Sequence, residues 1–167
     1  MKKFLFIIFA LTLCLFAICF ENPEVSANTE NNGELISSSI EYFEDGSYLT
    51  TECFVISETK NSRNNTRTVL HTVTATHYSA TNKELWFFKL TGGWYVNDGI
   101  SVMAMSSVID YELYSNAWSY SDLEATYYDD IVHGGAIFTH KLLGITTKTI
   151  TIDFDLLCDV YGNVTRI

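Results

Sequence analysis

The chain has 167 residues, 47% of them apolar, and a formal charge of −10. A surface of that sign repels phosphate backbones and anionic headgroups, which argues against nucleic-acid binding and against a membrane-surface role. Removal of a 27-residue leader leaves 140 residues, enough for one hydrophobic core and too few for two.

That leader is the first element. Met1, Lys2 and Lys3 form a basic start, Phe4 to Phe20 an almost unbroken apolar run, and Glu21 to Ala27 a polar stretch ending in a small residue. This is the layout of a secretory signal peptide cleaved after Ala27, so residues 1–27 read as an export signal and the mature chain as starting at Asn28. A retained anchor is the rival, because 17 apolar residues lie at the short edge of a bilayer span. Neither Cys14 nor Cys19 follows the small residue that a lipoprotein site requires. Export leaves two cysteines, Cys53 and Cys158, as a candidate disulfide closing nearly the whole domain, with two free thiols as the alternative.

Residues 28–39 are rich in Asn, Glu and Ser and read as a flexible segment, which places the folded domain at 40–167. Gly46 to Glu58 has β-strand composition, Lys60 to Arg67 is a loop, and Val69 to Tyr78 is a threonine-rich strand with Val69, His71, Val73, Ala75 and His77 on one side. Glu84 to Leu90 alternates with Trp86, Phe88 and Leu90 inward, and Gly92 and Gly93 suggest a bulge or a bend before Trp94. Asn97, Asp98 and Gly99 make a turn, and Ile100–Met105 and Ile109–Tyr114 read as two short strands or one broken one. Trp118 to Tyr128 is the weakest stretch, with one helical turn allowed at Ser121. Ala136–Leu143 and Ile145–Leu157 read as paired strands around Gly144. The second has Ile150, Ile152, Phe154, Leu156 and Cys158 on one face. Seven or eight strands without an amphipathic helix predict an all-β fold, an antiparallel β-sandwich of immunoglobulin-like architecture.

Leu85 and Trp86 before a strand, the run from Lys141 to Thr149, and the ending Leu157, Cys158, Asp159, Val160, Tyr161, Gly162, Asn163 carry a resemblance. They resemble a family of small secreted proteins of Firmicutes to which no function is assigned. The resemblance covers about the last 95 residues and implies export, in a bacterial secreted or envelope-associated location, and a threonine-rich all-β domain. It transfers no catalytic residue. Relatives of that kind carry two cysteines after the central turn, whereas Ile100–Met105 here has none, so a family-wide disulfide scheme does not carry over.

No metal or cofactor site is expected: no ligand spacing for zinc and no acidic calcium loop occurs. His71 and His77 are about 20 Å apart along an extended strand, and no G-x-S-x-G elbow is present. Two function classes stay open. Asp122, Glu124, Asp129 and Asp130 lie among aromatic residues, as the paired carboxylates of a glycan hydrolase would. Against this stands a non-enzymatic binding or surface-interaction module. Trp94, Tyr95, Trp118, Tyr120, Tyr127 and Tyr128 would lie in or beside loops at one edge and contact an extracellular protein or a cell-surface glycan. The abundance of Tyr and Trp favours the second class.

Overall fold

Alternation builds this fold. From Trp86 to Val96 every second side chain is large and apolar or is glycine, and each of those large residues is buried. The computed structural model of the chain describes residues 33–61 and 65–167. The expected signal peptide, and the part of the expected flexible segment before Gly33, lie outside the described residues. Nine strands follow one another: β1 Glu34–Tyr42, β2 Tyr48–Asn61, β3 Thr66–Tyr78, β4 Glu84–Asn97, β5 Ser101–Leu113, β6 Trp118–Tyr128, β7 Ile131–Leu142, β8 Ile145–Cys158 and β9 Val164–Arg166. The first begins within the segment expected to be flexible, because Glu34 to Tyr42 pairs antiparallel with β2, with one bulge at Ile36.

The strands make two antiparallel sheets, β1-β2-β3-β4-β5 and β6-β7-β8-β9. Strand order equals chain order in both. Every link therefore joins neighbours, and the connectivity is a meander, without the Greek-key crossings of an immunoglobulin domain. The two sheets share one core, in which Trp86 stacks on Phe138 with ring centroids 3.9 Å apart and Phe88 meets Phe154 at 6.0 Å. Gly134 permits the close approach of the layers, since a methyl group there would collide with Leu90 of the facing sheet.

Two expectations change and a third holds. Trp118–Tyr128 contains no helical turn and is strand β6, with Asp122 in the left-handed region (φ 52°) at a bulge between Ser121 and Glu124. The bulge expected before Trp94 is present: the β4–β5 register shifts between Gly93 and Trp94, with Met105 of β5 as the extra residue, while the inward alternation of β4 continues to Val96. Cys53 and Cys158 are free thiols. Cys53 sits mid-strand on β2, whereas Cys158 ends β8 in the opposite sheet, where its thiol donates to the Asp159 carbonyl. Burial, with the nearby Asp159, pushes the Cys158 thiol up to about 12, which keeps it protonated.

Candidate functional site

The six aromatic residues singled out from the sequence divide between core and surface. Trp94 is fully buried and its indole N–H donates to the Asp130 carbonyl at 2.8 Å. Trp118 is also buried, edge-on to His77 and Trp86. Both tryptophans leave the set of surface contacts, because each has the inward parity of its strand. Tyr95, Tyr120, Tyr127 and Tyr128 are exposed. They stand on strands β4 and β6 themselves, in place of the expected loops.

The four exposed tyrosines flank the seam where β5, the last strand of one sheet, runs beside β6, the first of the other. Three bonds cross that margin without forming a ladder. Ala104 N–H donates to the Asp129 carbonyl at 2.7 Å, Ser107 Oγ to the His133 carbonyl at 2.9 Å, and the Tyr111 hydroxyl to that of Tyr120. The first places the turn after Tyr127 and Tyr128 against β5 between Met103 and Met105. Tyr95 is opposite Met103 in the β4–β5 register. Met103, Met105, Val108 and Leu123 are exposed along the same margin. The sequence reading missed these four, because an apolar strand residue reads as core until the neighbouring strand is known. For Met103 the signal that would have found it is its place opposite Tyr95 in the β4–β5 register.

Asp122 and Glu124 are exposed on β6, and Asp129 and Asp130 form the turn into β7. None lines any of the three clefts described here. One cleft, of about 410 Å³, and a second, of about 500 Å³, lie between β1–β2 and β8–β9; Ser39, Thr51 and Arg166 border both. His71, neutral because burial lowers its pKa, forms part of the first.

The third cleft, of about 350 Å³, holds a polar cluster that the sequence did not reveal, since its members lie up to 103 residues apart. Ser47 Oγ is 2.6 Å from Asp45 Oδ1, 2.7 Å from Lys148 Nζ and 3.2 Å from His77 Nε2. A serine touching a lysine and a histidine resembles a nucleophile with its base, but the protons are misplaced for that chemistry. Hydrogen bonds from Ser47 and then Lys148 hold the Asp45 carboxyl well below the usual carboxylate range. Both its oxygens pin the Lys148 ammonium, which also sits 3.8 Å over the Phe43 ring. An ammonium has no lone pair to accept a proton. Burial, then Lys148, lowers His77 to about 4, so it is neutral and its Nε2–H donates to Ser47. With two donors on its oxygen and its own proton on a weakly basic carboxylate, Ser47 is not activated. The cluster ties the β1–β2 turn to β8.

His133 Nδ1 lies 2.9 Å from Asp155 and 3.5 Å from Asp153 on the outer face of the second sheet. Among the described residues no group of three or more His, Cys, Asp or Glu is arranged to hold a metal. Comparison with protein families, curated proteins and solved structures gives no match.

Proposed function

We propose that this protein is an exported, non-enzymatic binding module that engages an extracellular protein through the β5–β6 seam. The observation that carries the reading is the strip of exposed Tyr95, Met103, Met105, Val108, Leu123, Tyr127 and Tyr128 along one margin of the domain. Exposed apolar residues gathered at one margin of a strongly negative domain mark an interaction surface. The basic start, apolar run and small residue at Ala27 support export as a bacterial secreted or envelope-associated protein.

The composition of the strip selects the partner class. Sugar-binding faces rely on broad aromatic plates, and the two tryptophans that would supply them are in the core. Methionine, valine and leucine with tyrosine instead suit a protein surface, methionine by adapting its shape and tyrosine by adding rigid area with a polar tip. The glycan-hydrolase alternative, as read from Asp122, Glu124, Asp129 and Asp130, draws no support from the clefts, because none of these four lines one.

An array of extracellular proteins and glycans probed with residues 28–167 tests this reading. Capture of a protein, weakened at least tenfold by Met103→Ser with Tyr128→Ser, is the expected result. Capture of glycans alone would move the site elsewhere, and no retained ligand at high concentration would sink the binding reading. Release of reducing sugar from a polysaccharide would restore the hydrolase.

A further inference from the structure

Opposite the β5–β6 seam the sandwich is open between β1–β2 and β8–β9, and its inner face turns polar there. Ser39 is opposite Thr51 and Thr51 opposite Ala75, while Ser37 is opposite Cys53 and Cys53 opposite Val73. Both serines therefore share the face that Ala75 and Val73 turn to the core, and His71 has the same parity on β3. Across the gap Arg166 is opposite Leu156 in the β8–β9 register, so it too faces inward, with its guanidinium carbon 5.5 Å from the centre of the Phe154 ring. These serines, Thr51, Cys53, His71, Leu156 and Arg166 border the cleft of about 410 Å³.

Two polar groups of this cleft are buried without a partner. Thr51 is 9% exposed and His71 6%, and among the described residues no hydrogen bond reaches either side chain. Buried polar groups are nearly always bonded, so two left open on one cleft point to a polar atom that enters it. Charge gives the sign of what enters. The chain has 20 acidic residues against 10 basic ones, yet no acidic residue lines this cleft. Its one charged side chain is Arg166, which is exposed and makes no ion pair among the described residues. Glu41 and Asp153 border the second cleft, beyond Arg166, and make that side unfavourable for an anion. Ile36, Leu156 and Val164 give the first cleft an apolar wall.

We infer that the first cleft binds a small organic acid. Its carboxylate pairs with Arg166, its apolar body lies against Leu156 and Val164, and an uncharged polar group such as an amide meets Thr51 and His71. A guanidinium matches a carboxylate through two parallel N–H bonds. A threonine hydroxyl and a neutral imidazole can each donate and accept, which suits both halves of an amide. The volume falls at the small end of ligand pockets, which run from about 300 to 1,000 Å³. An ammonium would find no counter-charge in this cleft, which disfavours free amino acids. Inorganic phosphate would leave the apolar wall and the two buried groups unused. The site is separate from the β5–β6 seam and does not rest on the reading of that seam.

Titration of isotope-labelled residues 31–167, which form one compact unit, tests this by nuclear magnetic resonance. The probe is N-acetylleucine, which carries a carboxylate, an apolar body and an amide. It should shift the backbone resonances of Thr51, Cys53, His71 and Arg166, with a Kd on the order of 1 mM or tighter. N-acetylleucinamide, which lacks the charge, should bind at least tenfold more weakly, and leucine and inorganic phosphate more weakly still. Arg166→Gln should bring N-acetylleucine down to the level of its amide and leave the amide unchanged. His71→Phe should weaken both. If that buried variant unfolds, the exposed Arg166 carries the test. Cys53 lines the cleft, so N-acetylleucine should slow its alkylation by iodoacetamide, whereas the buried Cys158 should stay unreactive in either case. No shift with N-acetylleucine, equal binding of acid and amide, indifference to Arg166→Gln, or phosphate binding as tightly as N-acetylleucine would overturn the assignment. None of these results bears on capture at the seam, which the array reads separately.

Discussion

Trp94 and Tyr95 are neighbours in the chain and opposites in the molecule. Trp94 faces the core with its indole N–H bonded to Asp130, whereas Tyr95 faces solvent opposite Met103. Composition treats the two as equal aromatic anchors. The period-2 rule of a strand separates them, since successive side chains point to opposite faces. The largest expected effect tests this division. Trp94→Ala should cost about 3–5 kcal/mol in urea denaturation, through the lost transfer energy and the cavity left behind. Tyr95→Ala should stay within about 0.5 kcal/mol, as a surface substitution does. Equal costs would erase the distinction between core and contact surface.

The same division operates on charge. His77 is buried on the inner face of β3 and its pKa is about 4, against an ordinary value of 6.5. Between those values the unfolded chain binds a proton that the folded chain refuses, so stability falls as pH drops through this window. The difference corresponds to on the order of 3 kcal/mol, present in full above about pH 6.5 and lost by about pH 4. His71, lowered by burial in the same strand, adds in the same direction. His77→Phe should flatten the dependence of urea midpoint on pH between 6.5 and 4. An unchanged slope in that variant would remove His77 as the cause.

How much of this was legible in the sequence follows from which interactions are local. Alternation in Ile150–Cys158 and in Val69–His77 is written within a few residues, and those inward faces are the observed ones. Trp94 was equally legible in principle: it shares parity with Trp86, Phe88 and Leu90, but a bulge or bend expected at the two glycines kept that parity from being carried through them. Gly92 is there for a different reason. A methyl group at that position would overlap the Trp94 indole, which lies across the space the glycine leaves open. The meander order, the seam at β5 and the Asp45–Ser47–Lys148 cluster were not legible, since each depends on which strands become neighbours. Glu34 to Ser39 was misread as flexible because its serines resemble linker residues when their pairing with β2 is unknown.

Gly92 supplies the next test in order of size. Gly92→Ala should destabilise by about 1–3 kcal/mol, because the added methyl has to displace a buried indole in a packed core. Combined with Trp94→Ala, which removes the obstructing ring, the same substitution should cost much less than it does alone. That non-additivity is the signature of direct contact. Additive costs would mean that Gly92 is required for some reason other than room for Trp94.

The smallest effect belongs to the outer end of the polar cluster, where Asp45 and Lys148 join the β1–β2 turn to β8 at 3.0 Å. The Asp45 side chain is 57% exposed, so water and salt screen the pair and its coupling should be under about 1 kcal/mol in a double-mutant cycle of Asp45→Asn and Lys148→Met. The Asp45 carboxyl is held below its ordinary value of 3.8, so its contribution is complete above that pH and is lost only as the pH falls further. From pH 7 down to about 5 the coupling should therefore stay constant, while the buried His77 is already losing its contribution. Salt should separate the two as well. About 0.5 M sodium chloride should weaken the Asp45–Lys148 coupling and leave the His77 window in place, because a screened surface charge and a desolvated ring respond to different properties of the solvent.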